Sequence, residues 1–415
     1  MKILELAPYV FVDGHKFGCK NKSGLAYMTR SVCDMLASEN DVHVITQSIF
    51  TPSQKVNDWT FVKRNIVTIL LHFKFRYFKL AVRMIRRENQ VSRHKLLLYC
   101  LSAGQVEDYI KEWKPDVVHI HTISTYSLPY IVAVAKSKAS VITTLHGLVS
   151  YNDIVPASPF SKRMERIFLD AYMHNQYPLT FISSGMKDKV QNSFGIAGNN
   201  ITVIPNCFRK VDIPDSKQKN DGILRLICVG SIYPLKNQIQ VIRVLPGVRK
   251  RMNSVKDVIL DIYGEGVSRE EWEQYCVQNN IKGVTFHGRK SQDTVFKAVA
   301  QADLLVFPSI EEGFGIPIIE AYNCGTPVVT FEDLDASRDI YNENCCLFAA
   351  SRSDQDLENA IVEALSKRWD KDKIASFSNK FTVEAISHQY NDALKIKSKI
   401  IDAQIINKMM MNICS

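Results

Sequence analysis

The chain has 415 residues, of which 46% are hydrophobic, so it is long enough for two domains of ordinary size. Its 52 Lys and Arg residues outnumber its 43 Asp and Glu residues, which gives a net charge of +9. This moderate excess suits acidic lipids and phosphorylated ligands as well as nucleic acid. The ten cysteines form no pair of CxxC motifs, which argues against a zinc ribbon and favours reduced, buried thiols.

The N-terminal sequence "MKILELAPYV" has no long apolar segment behind a charged start, so we expect no signal peptide. No stretch reaches the roughly 18 uncharged apolar residues that a membrane span requires. These features predict a cytoplasmic protein.

Taken in chain order, the first half of the sequence alternates short apolar segments with helical patterns. "KILELA" predicts the first strand, and a helix is expected from Ser23 and Gly24 to about Ala37. Further strands are predicted at "DVHVIT", "DVVHIH", "VITTLH", "LTFIS" and "ITVIP". This βαβ rhythm is typical of a doubly wound α/β sheet.

A polar segment at 212–222, "DIPDSKQKNDG", interrupts the rhythm and is predicted to be a linker. Strands resume at "LRLICVG", "VILDIYG", "GVTFHG", "DLLVFP" and "TPVVTF". We therefore predict two Rossmann-like domains, at 1–211 and 222–384. Two such domains in tandem imply a cleft between them, with the carboxyl ends of the strands facing it.

The segment "SIEEGFGIPIIEAYNCGTPVV" (309–329) contains a predicted ligand-binding turn. The preceding "DLLVF" is apolar without alternation, which suits a strand buried on both faces. Gly313 and Gly315 permit a tight turn, and Pro317 fits the first turn of a helix that Gly325 would end. A helix that begins after such a turn presents N–H groups and a positive dipole end to an anion.

Carboxylates at Glu311, Glu312 and Glu320 flank this turn, although carboxylates repel phosphate. A nucleotide sugar would satisfy both features, because its pyrophosphate lies between sugar hydroxyls at one end and ribose hydroxyls at the other. The turn would bind the pyrophosphate while the acids accept hydrogen bonds from the hydroxyls. The alternative is that Glu312 and Glu320 are solvated charges at the ends of a helix.

At this point the sequence resembles the family 4 glycosyltransferases, which are retaining enzymes with the GT-B fold. "EGFGIPIIE" resembles the E-x7-E motif of that family, with Glu312 and Glu320 as its acids. "ITVIPNC" resembles a "VIPNG" segment with Cys207 in place of glycine, and "VGSIYPLKN" resembles a "VGRL…KG" loop. Family order is also kept by "PDVVHIH", "TTLHG", "DIYGEG", "VTFHGR" and "ADLLVFPS".

The resemblance implies an N-terminal domain that binds the acceptor and a C-terminal domain that binds a nucleotide-sugar donor. It also implies that a tail helix at about 385–408 crosses back to the first domain. The implied reaction is a front-face attack without a metal or other cofactor, in which the leaving phosphate oxygen takes the proton of the acceptor. The protein would then contribute position and electrostatics.

The resemblance also assigns roles to individual residues. Lys236 would stabilise charge on the leaving diphosphate, and its alternative role is that of an ordinary lysine in the first turn of a helix. Glu312 would hold hydroxyls of the donor sugar, and Glu320 would hold those of the ribose. Ser231 stands where the family usually has an arginine, so Lys236 and the helix dipole would have to neutralise the diphosphate without it.

Further site residues follow from the same motifs. Arg289 matches a position that lines the base, unless it is simply a surface arginine. Gly24 lets the backbone approach the phosphate or the acceptor. His146 would lie beside the donor sugar, although histidines at strand ends are usually packing or capping residues. Backbone N–H groups would meet the phosphates or the sugar near Phe314, Gly315 and Ile316.

His119 and His121 alternate along one predicted strand, as a pair of metal ligands would. No third ligand is evident near them in the sequence. We therefore expect no metal there.

The segment 62–96 holds ten Lys or Arg residues and a single acid, Glu88. Its spacing predicts a helix whose basic face includes Lys79, Arg83, Arg86 and Arg87. Such a helix would suit an anionic membrane surface, or its apolar stripe would pack on the protein's own core. No nucleic-acid-binding module accompanies it, so we expect no nucleic acid partner. The stripe comprises Ile66, Leu70, Phe73, Tyr77, Leu80 and Met84.

The leading hypothesis is a cytoplasmic retaining glycosyltransferase of the hexosyltransferase type, peripheral on the inner membrane face if 62–96 binds lipid. It would move a sugar from a nucleotide-diphosphate sugar to a saccharide or lipid-linked saccharide, in the synthesis of a bacterial surface polysaccharide. One alternative is a GT-B sugar-nucleotide epimerase, against which Glu312 with Glu320 argues. The other is a non-catalytic sugar-nucleotide-binding protein, which Ser231 alone suggests.

Overall fold

The structure, a computed structural model, describes residues 1–12, 23–48, 50–151, 157–196, 198, 200–210 and 221–414. The chain divides into two compact units, one formed by Met1–Asn206 with Ile386–Ser415 and the other by Cys207–Ala385. Each unit contains a mostly parallel sheet whose strands alternate with helices. The predicted linker at 212–222 lies outside the described residues except for its last two.

The part of the chain before residue 207 contains eight strands and seven α-helices among its described residues. The strands are β1 (Lys2–Ala7), β2 (Asp41–Thr46), β3 (Gln54–Val56), β4 (Trp59–Phe61), β5 (Val117–His121), β6 (Ser140–Leu145), β7 (Leu179–Phe181) and β8 (Ile201–Val203). The helices are α1 (Gly24–Ala37), α2 (Ile66–Leu71), α3 (Phe75–Ile85), α4 (Arg93–Trp113), α5 (Leu128–Ser137), α6 (Pro159–His174) and α7 (Ser184–Phe194).

The rest of the chain completes both units. Its strands are β9 (Ile223–Val229), β10 (Asp257–Tyr263), β11 (Val284–Gly288), β12 (Leu304–Val306), β13 (Val328–Phe331), β14 (Cys346–Ala349) and β15 (Lys399–Ile400). Its helices are α8 (Gln238–Arg251), α9 (Arg269–Gln278), α10 (Gln292–Gln301), α11 (Ile316–Asn323), α12 (Ser337–Ile340), α13 (Asp354–Ser366), α14 (Lys371–Ser378), α15 (Val383–Lys397) and α16 (Ala403–Cys414). Short 3-10 helices lie at Val149–Tyr151, Pro234–Lys236 and Asn379–Phe381.

The sheet of the first unit has the strand order β3-β4-β2-β1-β5-β6-β7-β8, with β15 paired antiparallel to β6. Neighbours from β4 to β8 are parallel, and β3 is antiparallel to β4. The register sets Glu5 opposite His119 and His121 opposite Thr144. Because paired residues of adjacent strands share a face of the sheet, this register gathers polar side chains in the interior.

The sheet of the second unit has the order β11-β10-β9-β12-β13-β14, and all of its pairs are parallel. From β9 the chain winds outward to β11 and then returns to β12, on the other side of β9. The direction of winding therefore reverses between β9 and β12, where open α/β sheets bind their ligands. Apolar side chains pack beneath this point, among them the fully buried Leu226, Ile242, Leu260, Leu304 and Ile361.

The predicted doubly wound α/β organisation is confirmed, and every predicted strand overlaps an observed one. Sequence reasoning missed β3 and β4, which have three residues each, and β14 near the end of the second sheet. The tail is not the single helix expected at about 385–408. It contains α15 and α16, separated where Lys399 and Ile400 pair with the edge of β6 and so leave the helical conformation.

The prediction of one amphipathic helix within 62–96 is wrong, because the segment forms α2 and α3 and then enters α4 at Arg93. The break follows His72, whose carbonyl oxygen approaches α4 so closely that a Cβ on Gly104 would lie 2.1 Å from it. Asp108 on α4 also accepts hydrogen bonds from His72 and Lys74. These contacts with α4 hold the chain in a bend between the two helices.

The apolar stripe of this segment divides into two groups. Tyr77 and Met84 are buried, and the Tyr77 hydroxyl donates to Glu107 at 2.8 Å. Other apolar side chains are exposed by 39% to 77%, which is unusual for a contiguous group of this size. They are Ile66, Val67, Leu70, Leu71, Phe73, Phe75 and Phe78.

Among the helices of the described residues, none has both the length and the apolar character needed to cross a bilayer.

Candidate active site

The turn between β12 and α11 has the strand–turn–helix form that the sequence predicts. Gly315 adopts φ = 89°, a left-handed conformation that favours glycine, and Pro317 lies in the first turn of α11. The Phe314 ring is buried and packs edge-on against Phe381, with 5.8 Å between the ring centroids. The side chain thus anchors the turn, and the backbone remains available to a ligand.

Three consecutive backbone N–H groups at this turn have no hydrogen-bond partner among the residues that the structure describes. They belong to Phe314, Gly315 and Ile316. The next donor with a partner there is the N–H of Ile318, which lies 2.9 Å from the carbonyl oxygen of Gly315. N–H groups at the start of a helix lie at the positive end of its dipole, so they form a site for an anion.

Lys236 and Glu312 form an ion pair beside this turn, with the Lys236 ammonium in contact with a carboxylate oxygen of Glu312. Lys236 ends the 3-10 helix at Pro234–Lys236, and the ammonium lies 5.8 Å from the centre of the Phe307 ring. The two side chains are 26% and 22% exposed, so a ligand can reach both charges.

Both residues follow strands that meet where the winding of the sheet reverses. Lys236 comes after β9 and Glu312 after β12, and the Ile310 N–H donates to the Leu235 carbonyl at 2.9 Å, which joins the two loops. The elements of the second unit thus bring a cation, a carboxylate and unpaired N–H groups to one edge of the sheet. A small depression there is lined by Cys228, Val229, Lys236, Gln238, Val306, Phe307, Pro308 and Ser309.

Arg352 supports the loop that leads to Glu312, and sequence reasoning missed it. Its guanidinium donates to the carbonyl oxygens of three consecutive residues at 2.7 to 3.4 Å, and it stacks over Phe331 at 4.0 Å. The guanidinium also pairs with the Asp333 carboxylate. Its contacts with the loop are made to backbone atoms, so no side-chain pattern in the sequence could have revealed them. The three carbonyl groups are those of Pro308, Ser309 and Ile310.

Glu320 lies in the middle of α11, whereas Glu312 lies in the turn before that helix begins. It accepts a hydrogen bond from the Gln292 amide at 3.3 Å. Burial raises the pKa of Glu320 to about 7, although the Gln292 contact opposes the shift. Near neutral pH this side chain therefore exists both as a carboxylate and as a carboxylic acid.

The loop after β9 is packed closely against the loop after β10. A Cβ on Gly264 would lie 1.8 Å from the Gly230 carbonyl oxygen, and one on Gly266 would lie 2.0 Å from that of Ile232. The glycines of "YGEG" are thus required by this loop-to-loop contact. Ser231 lies on the same loop with its side chain exposed, and its carbonyl accepts from Gln238 at 3.1 Å.

Arg289 directly follows β11 and is exposed, with no ion-pair partner among the described part of the chain. Nearby, His287 stacks on Tyr263 with 4.3 Å between ring centroids, and His287 Nε2 lies 2.6 Å from a carboxylate oxygen of Asp261. The predicted role of Arg289 at the base stays a prediction.

Gly24 is the first residue of α1, in the first unit. The Ser23 hydroxyl oxygen accepts from the Ala26 N–H at 3.3 Å and so caps the helix. The residues just before Ser23, 13–22, lie outside the described residues, and the predicted role of Gly24 stays a prediction.

His146 directly follows β6 in the first unit and is half-buried. Its Nε2 lies 2.9 Å from His121 Nδ1, and the two rings are stacked with 5.2 Å between centroids. Burial lowers the pKa of His146 well below its ordinary value, and His121 and His119 lower it further. His146 is therefore a neutral imidazole at neutral pH.

The sequence showed no third group beside His119 and His121, but the fold brings one to them. Glu5 on β1 has its carboxylate 2.6 Å from His121 Nε2 and 3.0 Å from His119 Nδ1, and all three residues are buried. The potential ligand atoms of the three residues lie within 4.8 Å of one another. Direct hydrogen bonds join the carboxylate to both imidazoles. The expectation that no metal binds here stays a prediction.

Two protein-family models match this chain. A model described as Glycosyltransferase Family 4 matches residues 22–209, and one described as Glycosyl transferases group 1 matches residues 224–367. The two matches together cover most of the first unit and most of the second.

Curated relatives agree with these matches. An uncharacterized glycosyltransferase of Methanocaldococcus jannaschii is 24% identical over 315 residues, which are 72% of this chain and 81% of that protein. The O-antigen chain mannosyltransferase RfbU of Salmonella typhimurium is 28% identical over 201 residues, or 48% of this chain. The chain spans about half of that second relative, 53% of its length.

Among solved structures, Anabaena HepE in complex with UDP and glucose has a TM-score of 0.65 at 16% identity. The superposition covers 95% of this chain and 99% of that one, so it supports the same two-unit Rossmann-like fold. With both family models in chain order and the site at the reversal of the second sheet, this chain belongs to the family 4-like glycosyltransferases of the GT-B fold.

Proposed function

We propose that this glycosyltransferase moves a hexosyl group from a nucleotide-diphosphate sugar to a saccharide, with retention of anomeric configuration. The observation that carries the proposal is the contact of Lys236 with Glu312 beside the unpaired N–H groups at 314–316. One short region thereby offers donors for a diphosphate and a carboxylate for sugar hydroxyls. The Anabaena structure with UDP and glucose supports a donor of this kind.

The chemistry assigns a task to each group. The bond between the sugar C1 and the diphosphate oxygen breaks, and negative charge grows on the diphosphate, where the Lys236 ammonium and the N–H groups stabilise it. The acceptor oxygen forms the new bond to C1 on the same face, and its proton passes to the departing phosphate oxygen. Glu312 and Glu320 hold hydroxyls of the sugar and the ribose. The scheme uses neither a metal nor another cofactor.

The Lys236–Glu312 contact has a consequence for donor binding. Each charge partly satisfies the other before a ligand arrives, which limits the cost of leaving either one uncompensated. A bound donor would give the ammonium a diphosphate partner and the carboxylate a hydroxyl partner. The site is thus arranged for an exchange of partners when the donor enters.

The acceptor we propose is a saccharide or a lipid-linked saccharide on the route to a bacterial surface polysaccharide. The similarity to an O-antigen chain mannosyltransferase supports this setting. A cytoplasmic enzyme at the inner face of the membrane would meet both a nucleotide sugar and a lipid-linked acceptor.

A specific surface supports attachment to an anionic membrane. The exposed apolar side chains at 66–78 form the apolar surface, and Lys79, Arg83, Arg86 and Arg87 next to it are all exposed. Lys74 and Arg76, by contrast, pair with Glu107 and are directed to the protein itself. Apolar side chains flanked by exposed cations are the combination that binds anionic lipid surfaces.

Incubation with a panel of nucleotide-diphosphate sugars and saccharide acceptors tests the function. A retaining transferase releases the nucleoside diphosphate at an appreciable rate only when a suitable acceptor is present. NMR of its product shows the same anomeric configuration as the donor. An epimerase would convert the donor without an acceptor, and a binding protein would shift its melting temperature without turnover. An inverted product would contradict retention.

A further inference from the structure

A continuous hydrogen-bond chain runs from the interior of the first sheet to the end of β6. Glu5 Oε2 lies 2.6 Å from His121 Nε2, and His121 Nδ1 lies 2.9 Å from His146 Nε2. Glu5 and His121 have no exposed surface, whereas His146 is half-buried. Of the three residues, only His146 can therefore meet a ligand.

The positions of the protons in this hydrogen-bond chain can be assigned by starting from Glu5. Burial opposes ionisation of Glu5, but its contacts with His119 and His121 hold its pKa at about 2, so it is a carboxylate that only accepts. His121 Nε2 must then carry a proton. Burial lowers the pKa of His121, so its ring is neutral and Nδ1 holds a lone pair. His146 Nε2 consequently donates to His121, and His146 Nδ1 is unprotonated.

We propose that Glu5 and His121 are positioning residues that hold His146 as its Nε2–H tautomer, with Nδ1 as an acceptor for a sugar hydroxyl. That the ligand is a sugar hydroxyl rests on the proposed function. The assignment of the His146 tautomer does not. The His146 side chain is only half-buried, so part of it remains accessible to a ligand. The fold thus orients a half-buried histidine through a carboxylate that has no exposed surface.

His119 provides a matched control within the same cluster. It lies on the same strand, is equally buried and also contacts Glu5, through Nδ1 at 3.0 Å. Its other nitrogen, Nε2, lies 2.7 Å from the Thr144 hydroxyl and not from His146. Removal of His119 therefore disturbs the buried cluster and leaves the path to His146 in place.

The first experiment is NMR of the full chain labelled with 15N-histidine, with the His146 signals identified by their absence in His146→Gln. The ring nitrogen shifts report which nitrogen carries the proton. We expect a protonated Nε2 and an unprotonated Nδ1 in the unliganded protein. A protonated Nδ1, or two tautomers in comparable amounts, would overturn the proposal without recourse to any variant or assay of activity.

The second experiment compares His121→Phe with His121→Asn and with His119→Phe. We expect His121→Phe to mix the tautomers of His146 and to lower kcat/KM about three- to tenfold, as loss of one hydrogen bond does. The Asn variant should restore part of the Nε2–H population of His146 and part of kcat/KM, because its amide oxygen can accept a hydrogen bond from His146. His119→Phe should leave the His146 tautomer unchanged even if it lowers the melting temperature.

A purely structural role for His121 gives a different result. In that case, His121→Phe and His119→Phe would lower the melting temperature alike and would leave the nitrogen shifts of His146 unchanged, which contradicts the proposal. Absence of transfer by the wild-type chain would contradict the proposed function alone, since the tautomer is measured without a substrate.

Discussion

The ammonium of Lys236 touches the carboxylate of Glu312, although 76 positions separate the two residues in the chain. Ion pairs with this degree of exposure contribute only about 0 to 1 kcal/mol to folding stability. The contact is therefore better explained by ligand binding than by stability. It also makes the two residues separable by experiment, because each is expected to act on a different part of the donor.

Replacement of Lys236 by Ala should lower kcat more than it weakens donor binding. The lysine acts on charge that grows as the sugar–phosphate bond breaks, so its effect belongs to the transition state. Steady-state kinetics with the donor identified by the nucleotide-sugar panel, together with calorimetry of binding, measures both quantities. Lys236→Arg, which keeps the charge, should retain more activity than Lys236→Ala. A rise in KM with unchanged kcat would show instead that Lys236 only binds the donor.

Glu320→Ala should weaken binding of the nucleoside diphosphate, because the ribose hydroxyls lose their acceptor. Loss of a hydrogen bond to a charged group costs roughly 1.5–3 kcal/mol, which is more than a tenfold change in affinity. Calorimetry with a nucleoside diphosphate measures this directly. Unchanged affinity in a folded variant would remove Glu320 from the site.

Glu320 should also make stability depend on pH in a defined interval. Its pKa of about 7 in the folded protein exceeds its ordinary value of 4.5, so the folded state keeps a proton that the unfolded state has lost. The free energy of unfolding therefore falls as pH rises from 4.5 to 7. The stabilisation from the bound proton is fully present below pH 4.5 and is lost as pH rises through 7. The wild type should lose stability relative to Glu320→Gln over that interval in denaturant titrations, and a flat difference would refute the shift.

Ser231→Arg tests whether positive charge limits binding of the diphosphate. Ser231 is exposed on the loop before Lys236, so an arginine there can extend into solvent without displacing a core side chain. If charge is limiting, the affinity for a nucleoside diphosphate should increase. If affinity is unchanged or lower, the loop is adapted to serine and the Lys236 ammonium with the N–H groups suffices.

The protein surface formed by residues 66–87 should bind anionic vesicles. Each basic side chain near such a surface contributes about 1 kcal/mol, so replacement of Lys79, Arg83, Arg86 and Arg87 by Gln should reduce binding sharply. High salt should have the same effect through screening. Co-sedimentation with anionic and neutral vesicles at two salt concentrations measures this, and nucleotide affinity should not change.

Two substitutions separate lipid binding from packing in this segment. Phe73 is 48% exposed, so Phe73→Asp should weaken vesicle binding and leave the protein folded. Tyr77 is buried against Glu107, so Tyr77→Asp should destabilise the first unit without lipid. Equal and weak binding of the wild type to both kinds of vesicle would exclude a membrane-binding role for this segment.

Local patterns in the sequence are sufficient to predict the class of fold and the elements that form the candidate site. Buried parallel strands are nearly continuous apolar segments, so "DLLVF" and its counterparts could be recognised locally. The helix start after Gly315 could be predicted because glycine and proline constrain their own backbone. The short strands β3 and β4 were missed, since three residues are too few to show a period.

Which distant residues meet depends on the packing of the whole fold. Strand pairing sets Glu5 opposite His119, and the reversal of the second sheet places Lys236 against Glu312. The bend between α2 and α3 likewise depends on contacts with α4, which a helical period cannot reveal. Contacts between residues far apart in the chain depend on register and topology, and these are properties of the packed core as a whole and not of any local segment.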